Sequence, residues 1–143
     1  MIRTKKLSTN AIIPKAQTVG AAGADLHACL SNTITIAPGE TKKIPTGIAI
    51  SIPNGYGGFV FARSGLATKH GLAPANKVGV IDSDYRGEIM VALHNHSTEI
   101  RLIEPKQRIA QLVILPCYKP EFIEVDTLDS TDRADGGFGS TGQ

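Results

Sequence analysis

No stretch of this 143-residue chain approaches the roughly 18 consecutive apolar residues of a membrane-spanning helix, so no membrane association is expected. The N-terminus, Met1-Ile2-Arg3-Thr4-Lys5-Lys6, lacks the apolar run of a secretory signal. The chain is therefore expected to stay in the compartment where it is made. Cysteine is scarce. Cys29 and Cys117 lie far apart and form no metal-ligand pattern, which suits free thiols in a reducing compartment. An excess of one charge is also lacking. Fifteen Lys and Arg meet thirteen Asp and Glu, and a net charge of +2 argues against direct nucleic-acid binding. With 41% hydrophobic residues, one domain with its own core is expected.

Glycine and proline are abundant, at 15 and 8 residues. Their combined share exceeds the roughly 12% average, which implies many turns and close approaches of backbone to ligand. Between the turns the sequence reads as strands. Thr33-Ile34-Thr35-Ile36 alternates with period two, and Ile48, Ile50 and Ile52 share a face. Tyr56 to Phe61 suits a strand. Val78 to Ile81 and Glu88 to Leu93 flank a polar loop and read as a hairpin. Ile100 to Ile103, Ile109 to Leu115 and Phe122 to Val125 add three more. Turn signals about every ten residues are the spacing of an all-β sandwich or barrel. The expected fold is an all-β, jelly-roll-like barrel or sandwich with at most one short helix. That helix is Ser64 to Gly71, with an N-cap residue first and Gly last. Residues 1–126 form the β domain, and 127–143 a flexible Gly-rich C-terminal arm.

Four segments could carry chemistry. Gly137-x-Gly139-x-x-Gly142 matches a dinucleotide fingerprint as text, but only Gln143 follows, so the required helix is missing. A disordered end is the plain alternative. Arg133 and Phe138 among the glycines instead suit a flap over a phosphorylated base. Arg63-Ser64-Gly65 opens the helix, where free amides, a guanidinium and a hydroxyl suit an anion; a plain cap with a surface Arg is the alternative. Asp82 and Asp84 lie at the tip of the apolar hairpin. A carboxylate there could take a proton from water, hold a metal, or simply make a turn. Asp25 stands in a small-residue apolar stretch and could bond turn amides. His94 and His96 would share a strand face and could grip a metal, but no third ligand is evident.

In chain order, these segments resemble the five motifs of the trimeric deoxyuridine triphosphate nucleotidohydrolases, the dUTPases. The matching stretches are Ala22 to Leu26, Ala62 to Leu66, Gly79 to Glu88, Arg108 to Leu112, and Arg133 with Gly136 to Gly142. The resemblance implies a jelly-roll-like homotrimer with sites lined by all three chains, each closed by one chain's tail. It also implies a cytoplasmic enzyme that hydrolyses dUTP to dUMP and pyrophosphate with Mg2+.

The resemblance assigns roles residue by residue. Asp82 would activate water for attack at the α-phosphorus. Tyr85 would pack on the sugar and exclude a ribose hydroxyl. Asn76 and Gly79, Val80 and Ile81 would read uracil, with Met90 on the hairpin's return arm touching substrate or packing in the core. Arg63, Ser64 and Gly65 would cradle phosphates, with Gln111 near the attacking water. Arg133 would clamp the γ-phosphate and Phe138 stack on the base, with Gly139 and Ser140 beside it. Asp25 would meet the metal through water.

Two departures stand out: Ala62 replaces the usual Pro of the second motif, and Ala134 the first Gly after the tail Arg. Neither removes a reacting group. Deoxycytidine triphosphate deaminases resemble this fold but attack the base, and the fifth motif with Phe138 favours the hydrolase. Intact Asp82 speaks against a non-catalytic nucleotide-binding regulator, and a plain jelly-roll binding domain would not need Asp82, Tyr85 and Arg133 together.

Overall fold

The computed structural model describes residues 1–136. Eleven strands and one helix succeed one another. They are β1 Arg3–Lys6, β2 Ala24–His27, β3 Ile34–Ile36, β4 Thr41–Pro45, β5 Ile48–Ser51 and β6 Tyr56–Phe61. After α1 Ser64–His70 come β7 Leu72–Pro74, β8 Gly79–Ile81, β9 Met90–Asn95, β10 Arg101–Ile103 and β11 Arg108–Pro116. The strands pair antiparallel in four small sheets: β2-β11-β6-β8, β4-β9-β7, β1-β5 and β10-β3. Nearly every pairing is non-local, as in a jelly roll, and no closed barrel forms among the described residues.

The longest strand, β11, organises the side that matters for the site. It binds β2 through Arg108 to Leu112 and β6 through Gln111 to Pro116. A register irregularity between Arg108 and Ala110 lets both Ile109 and Ala110 turn inward, each with no exposure. Leu26, Ile36, Ile44, Ile48, Leu72, Leu93, Ile103 and Ile109 form the fully buried centre. Its one large polar member, Asn95, is satisfied. Its Nδ2 donates to the carbonyls of Ile36 (2.9 Å) and Glu99 (2.7 Å), and its Oδ1 accepts from the Ser97 amide (2.9 Å).

Several sequence expectations require correction. Phe122 to Val125 is not a strand; the segment is irregular, with Phe122 91% exposed, because it finds no partner edge among the described residues. The two arms of the expected hairpin do not pair with each other. β8 pairs with β6, and β9 pairs with β4 and β7, so the loop between them bridges two sheets. The N-cap of α1 is Arg63, in extended conformation, rather than Ser64, and no side chain caps the helix. At the other end Gly71 closes it as expected, with φ 66° in the left-handed region.

Candidate functional site

Two concavities hold most of the residues singled out from the sequence. The first, of about 630 Å³, lies where β2, β11 and the start of α1 meet. In register, Gln111 of β11 stands between Asp25 of β2 and Phe61 of β6. The chain leaves β6 at Phe61 and reaches Arg63 two residues on, which brings its guanidinium over β2. Asp25 Oδ1 accepts from Arg63 Nε at 2.9 Å, and Oδ2 from Arg108 Nη1 at 3.3 Å. The Asp25 side chain is 10% exposed, against 29% for Arg63 and 46% for Arg108. One buried negative charge thus orients two cations whose outer faces stay open. The balance is positive, as an anion site requires.

Ser64 and Gly65 line the same concavity. Because no side chain caps α1, the amides of its first turn have no internal acceptor. A Cβ at Gly65 would meet nothing within 4 Å, so packing does not demand glycine there; its absence keeps the cavity open. Gln111 Nε2 donates to the Ala62 carbonyl at 2.9 Å, which fixes the amide against the β6–α1 turn. His27 lies two residues beyond Asp25, paired with Arg108. Among the described residues its Nδ1 is buried with no partner. Burial lowers its pKa, the Asp25 charge opposes that, and Arg108 and Arg63 add to the lowering.

The second concavity, of about 370 Å³, is lined by β8, the loop after it and the start of β9. Asn76, Gly79, Val80, Ile81, Asp82, Tyr85 and Met90 all face it. Lys77 takes φ 64°, and the Val78 amide bonds the Asn76 carbonyl at 2.7 Å, a tight turn that sets Asn76 beside Gly79. The loop is pinned throughout. Tyr85 N donates to the Asp82 carbonyl (3.2 Å), and Tyr85 Oη to the Glu88 carbonyl (3.1 Å). Arg86 Nη1 donates to the carbonyls of Ser83 (2.7 Å) and Tyr85 (2.8 Å). Glu88 Oε1 accepts from the Gly47 amide at 2.7 Å, which anchors the loop to the turn before β5. Asp82 is exposed, and no described donor reaches its carboxylate. It is a carboxylate held on a hydrogen-bonded loop, open to water. Met90 is 46% exposed at the mouth and is not a core residue.

The two concavities share no lining residue. Asp25, Arg63, Ser64, Gly65 and Gln111 fall in the first; Asn76, Gly79 to Asp82, Tyr85 and Met90 fall in the second. Arg133 lines neither; its Nε donates to the Gly136 carbonyl at 2.8 Å on an exposed turn. Phe138, Gly139 and Ser140 lie outside the described residues. Sequence reasoning passed over Arg108, Gln107 and Lys69, which also line the first concavity. Arg108 could have been found, since it stands three residues before Gln111 in the fourth matched stretch.

A metal finds little here. Both Asp25 oxygens already accept from guanidinium groups, and no group of three His, Cys, Asp or Glu ligands occurs among the described residues. His94 and His96 have ring centroids 4.3 Å apart, and His94 Nδ1 lies 2.8 Å from Thr41 Oγ1.

Comparison with known proteins gives a consistent picture. A family model described as dUTPase matches residues 9–142. A deoxyuridine 5'-triphosphate nucleotidohydrolase of Desulfitobacterium hafniense is 58% identical over 131 residues, covering 91% of this chain and 87% of that one. Its counterpart from Nautilia profundicola is 51% identical over 99% of both chains. Among solved structures, the Staphylococcus bacteriophage 80alpha dUTPase with dUPNHPP superposes with a TM-score of 0.87 at 30% identity, over 100% of this chain and 99% of that one. A D95N dUTPase from phage phi11 of S. aureus, described for its coordination of a structural Mg(II) ion, reaches 0.82 at 27% identity. It covers 91% of this chain and 99% of the phage chain.

Proposed function

The chain belongs to the dUTPase family, a family of hydrolases, and we propose that it hydrolyses dUTP to dUMP and pyrophosphate by in-line attack of water at the α-phosphorus. The observation that carries the mechanism is Asp82: an open carboxylate on a pinned loop, in one concavity with Tyr85 and the polar edge of β8. Asp82 accepts a proton from water as the water oxygen bonds to the α-phosphorus. The bond from that phosphorus to the bridging oxygen breaks, and pyrophosphate leaves with the electron pair. Little covalent work falls to the protein, so positioning and charge dominate.

Each concavity supports one part of this reading. In the second, backbone donors and acceptors at Gly79 to Ile81 read the uracil edge with Asn76. Tyr85 closes on the deoxyribose, and Met90 borders the mouth. In the first, Arg63, the amides at Ser64 and Gly65, and Gln111 hold the phosphates; Arg108 reinforces Arg63 through their shared Asp25. Because the two halves are separate surfaces of one chain, the proposed site joins the base half of one copy to the phosphate half of a neighbour in a homotrimer. Arg133, Phe138, Gly139 and Ser140, in the arm at 127–143, close it from a third copy. Mg2+ neutralises phosphate charge when bound. Here it would arrive on the substrate's phosphates and meet Asp25 only through water, since the side-chain oxygens are engaged. The proposed location is the cytoplasm, where Cys29 and Cys117 stay reduced, as both are free here.

Incubation with dUTP, dCTP, dTTP and UTP, followed by product analysis, tests the function. Rapid formation of dUMP and pyrophosphate from dUTP alone is expected. Orthophosphate as the first product, or equal rates on all four nucleotides, would refute it.

A further inference from the structure

Gly87 follows Arg86 in the pinned loop, and its backbone does not require glycine: φ is not in the left-handed region. Space requires it. A Cβ at position 87 would fall on the Tyr85 phenol oxygen, and would lie 2.6 Å from Cζ and 3.0 Å from Cε2. These three nearest atoms all belong to one side chain, so the missing Cβ makes room for a single ring.

The backbone is tied on both sides of Gly87. Arg86 grips the carbonyls of Ser83 and Tyr85, at 2.7 and 2.8 Å. On the far side Glu88 is tied to the Gly47 amide at 2.7 Å, and the Ile89 amide to the Ile48 carbonyl at 2.9 Å. The ring can yield, because it is 47% exposed. A side chain at 87 would therefore push the phenol off by about 1 Å to reach ordinary contact, and would break its bond to the Glu88 carbonyl.

We propose that Gly87 is a specificity-determining position, the residue whose missing side chain seats the Tyr85 ring where it admits deoxyribose and rejects ribose. This rests on the dUTP reading above and on the role given there to Tyr85; it adds what fixes the ring. Gly87 is a positioning residue, and its effect passes through Tyr85.

A double-mutant cycle on the full chain tests this, with kcat/KM measured for dUTP and for UTP in wild type, G87A, Y85A and Y85A/G87A. A pocket that rejects an added hydroxyl discriminates by ~100-fold. In G87A the dUTP-to-UTP ratio should fall at least ~10-fold within that range. In the Y85A background, Gly87→Ala should change the ratio no further, because the ring it acts on is gone. An unchanged ratio in G87A overturns the proposal, and so does an equal loss in both backgrounds. Wild type inactive on dUTP would instead remove the reading beneath it. If G87A alone loses its fold, its recovery in Y85A/G87A would support the seating of the ring by Gly87, and no recovery would overturn it.

Discussion

Asp25 holds two guanidinium groups with one carboxylate, and its side chain is only 10% exposed. Removing that charge while keeping the shape, as in Asp25→Asn, would leave Arg63 and Arg108 to repel each other without an anchor. Charge-assisted bonds of this kind contribute ~1.5–3 kcal/mol each, and about 1.4 kcal/mol is tenfold in rate or affinity. We expect kcat/KM on dUTP to fall ~10- to 100-fold in steady-state assays, and wild-type kinetics would dismiss the anchoring role. Asp82→Asn should behave differently. It removes a base and little binding, so turnover should drop at least ~100-fold while a non-hydrolysable dUTP analogue still binds in calorimetry. Near-normal turnover would take Asp82 out of that role. At this scale the sequence singled out local runs, Arg63-Ser64-Gly65 and Asp82 to Tyr85, which the structure sets at two concavities. It was silent where the partner lies far along the chain. The pairing of Asp25 with Arg63 and Arg108 spans 38 and 83 positions and depends on the register of β2 on β11.

Among the elements, α1 and the strands around it shape the first concavity, the proposed phosphate half. Gly71 ends α1 at φ 66°, and a Cβ there would sit 3.0 Å from both Cβ and N of Ser97. Gly71→Ala should therefore cost about 1–2 kcal/mol and lower the melting temperature by a few degrees, read by circular dichroism. β2 carries His27, whose pKa in the folded chain lies below its ordinary value because of burial. The unfolded chain then takes up the proton first as pH falls. Stability is full above about pH 6.5, the unfolded value, and declines as pH drops through the folded value. His27→Gln should flatten that decline in urea melts taken from pH 7.5 to 5.5, and an unaltered slope would exclude His27 as its source. Strands with clear alternation, such as β3 and β5, were legible from periodicity. β2 was not, because Ala24 to His27 mixes small, charged and apolar residues, and its strand state comes from pairing with β11. The expected hairpin failed for a related reason: two apolar arms across a polar loop look alike whether they pair together or, as here, join separate sheets.

For the whole molecule, the two concavities share no lining residue, and the proposal gives phosphate binding to the first and the base to the second. An exposed apolar run after β11 includes Tyr118, Phe122, Ile123, Val125 and Leu128, from 57% to 91% exposed. Such a run finds no cover among the described residues and suits contact with a partner. Composition could show that 121–135 carries six acidic residues and one Arg. It could not show that Phe122 to Val125 lacks a strand partner, since that depends on which edges the domain leaves open. The central claim, a working site joined from two copies, meets its most direct test in mixed assemblies. Asp82→Asn disables only the base half, and Arg63→Ala only the phosphate half. Each variant alone should be nearly inactive. When the two are unfolded together and reassembled at equal amounts, each mixed trimer holds one site with both halves intact. Random mixing should then return about a quarter of wild-type dUTP hydrolysis. Activity that stays at the level of the separate variants, in trimers shown to be mixed, would place both halves of the site in a single chain.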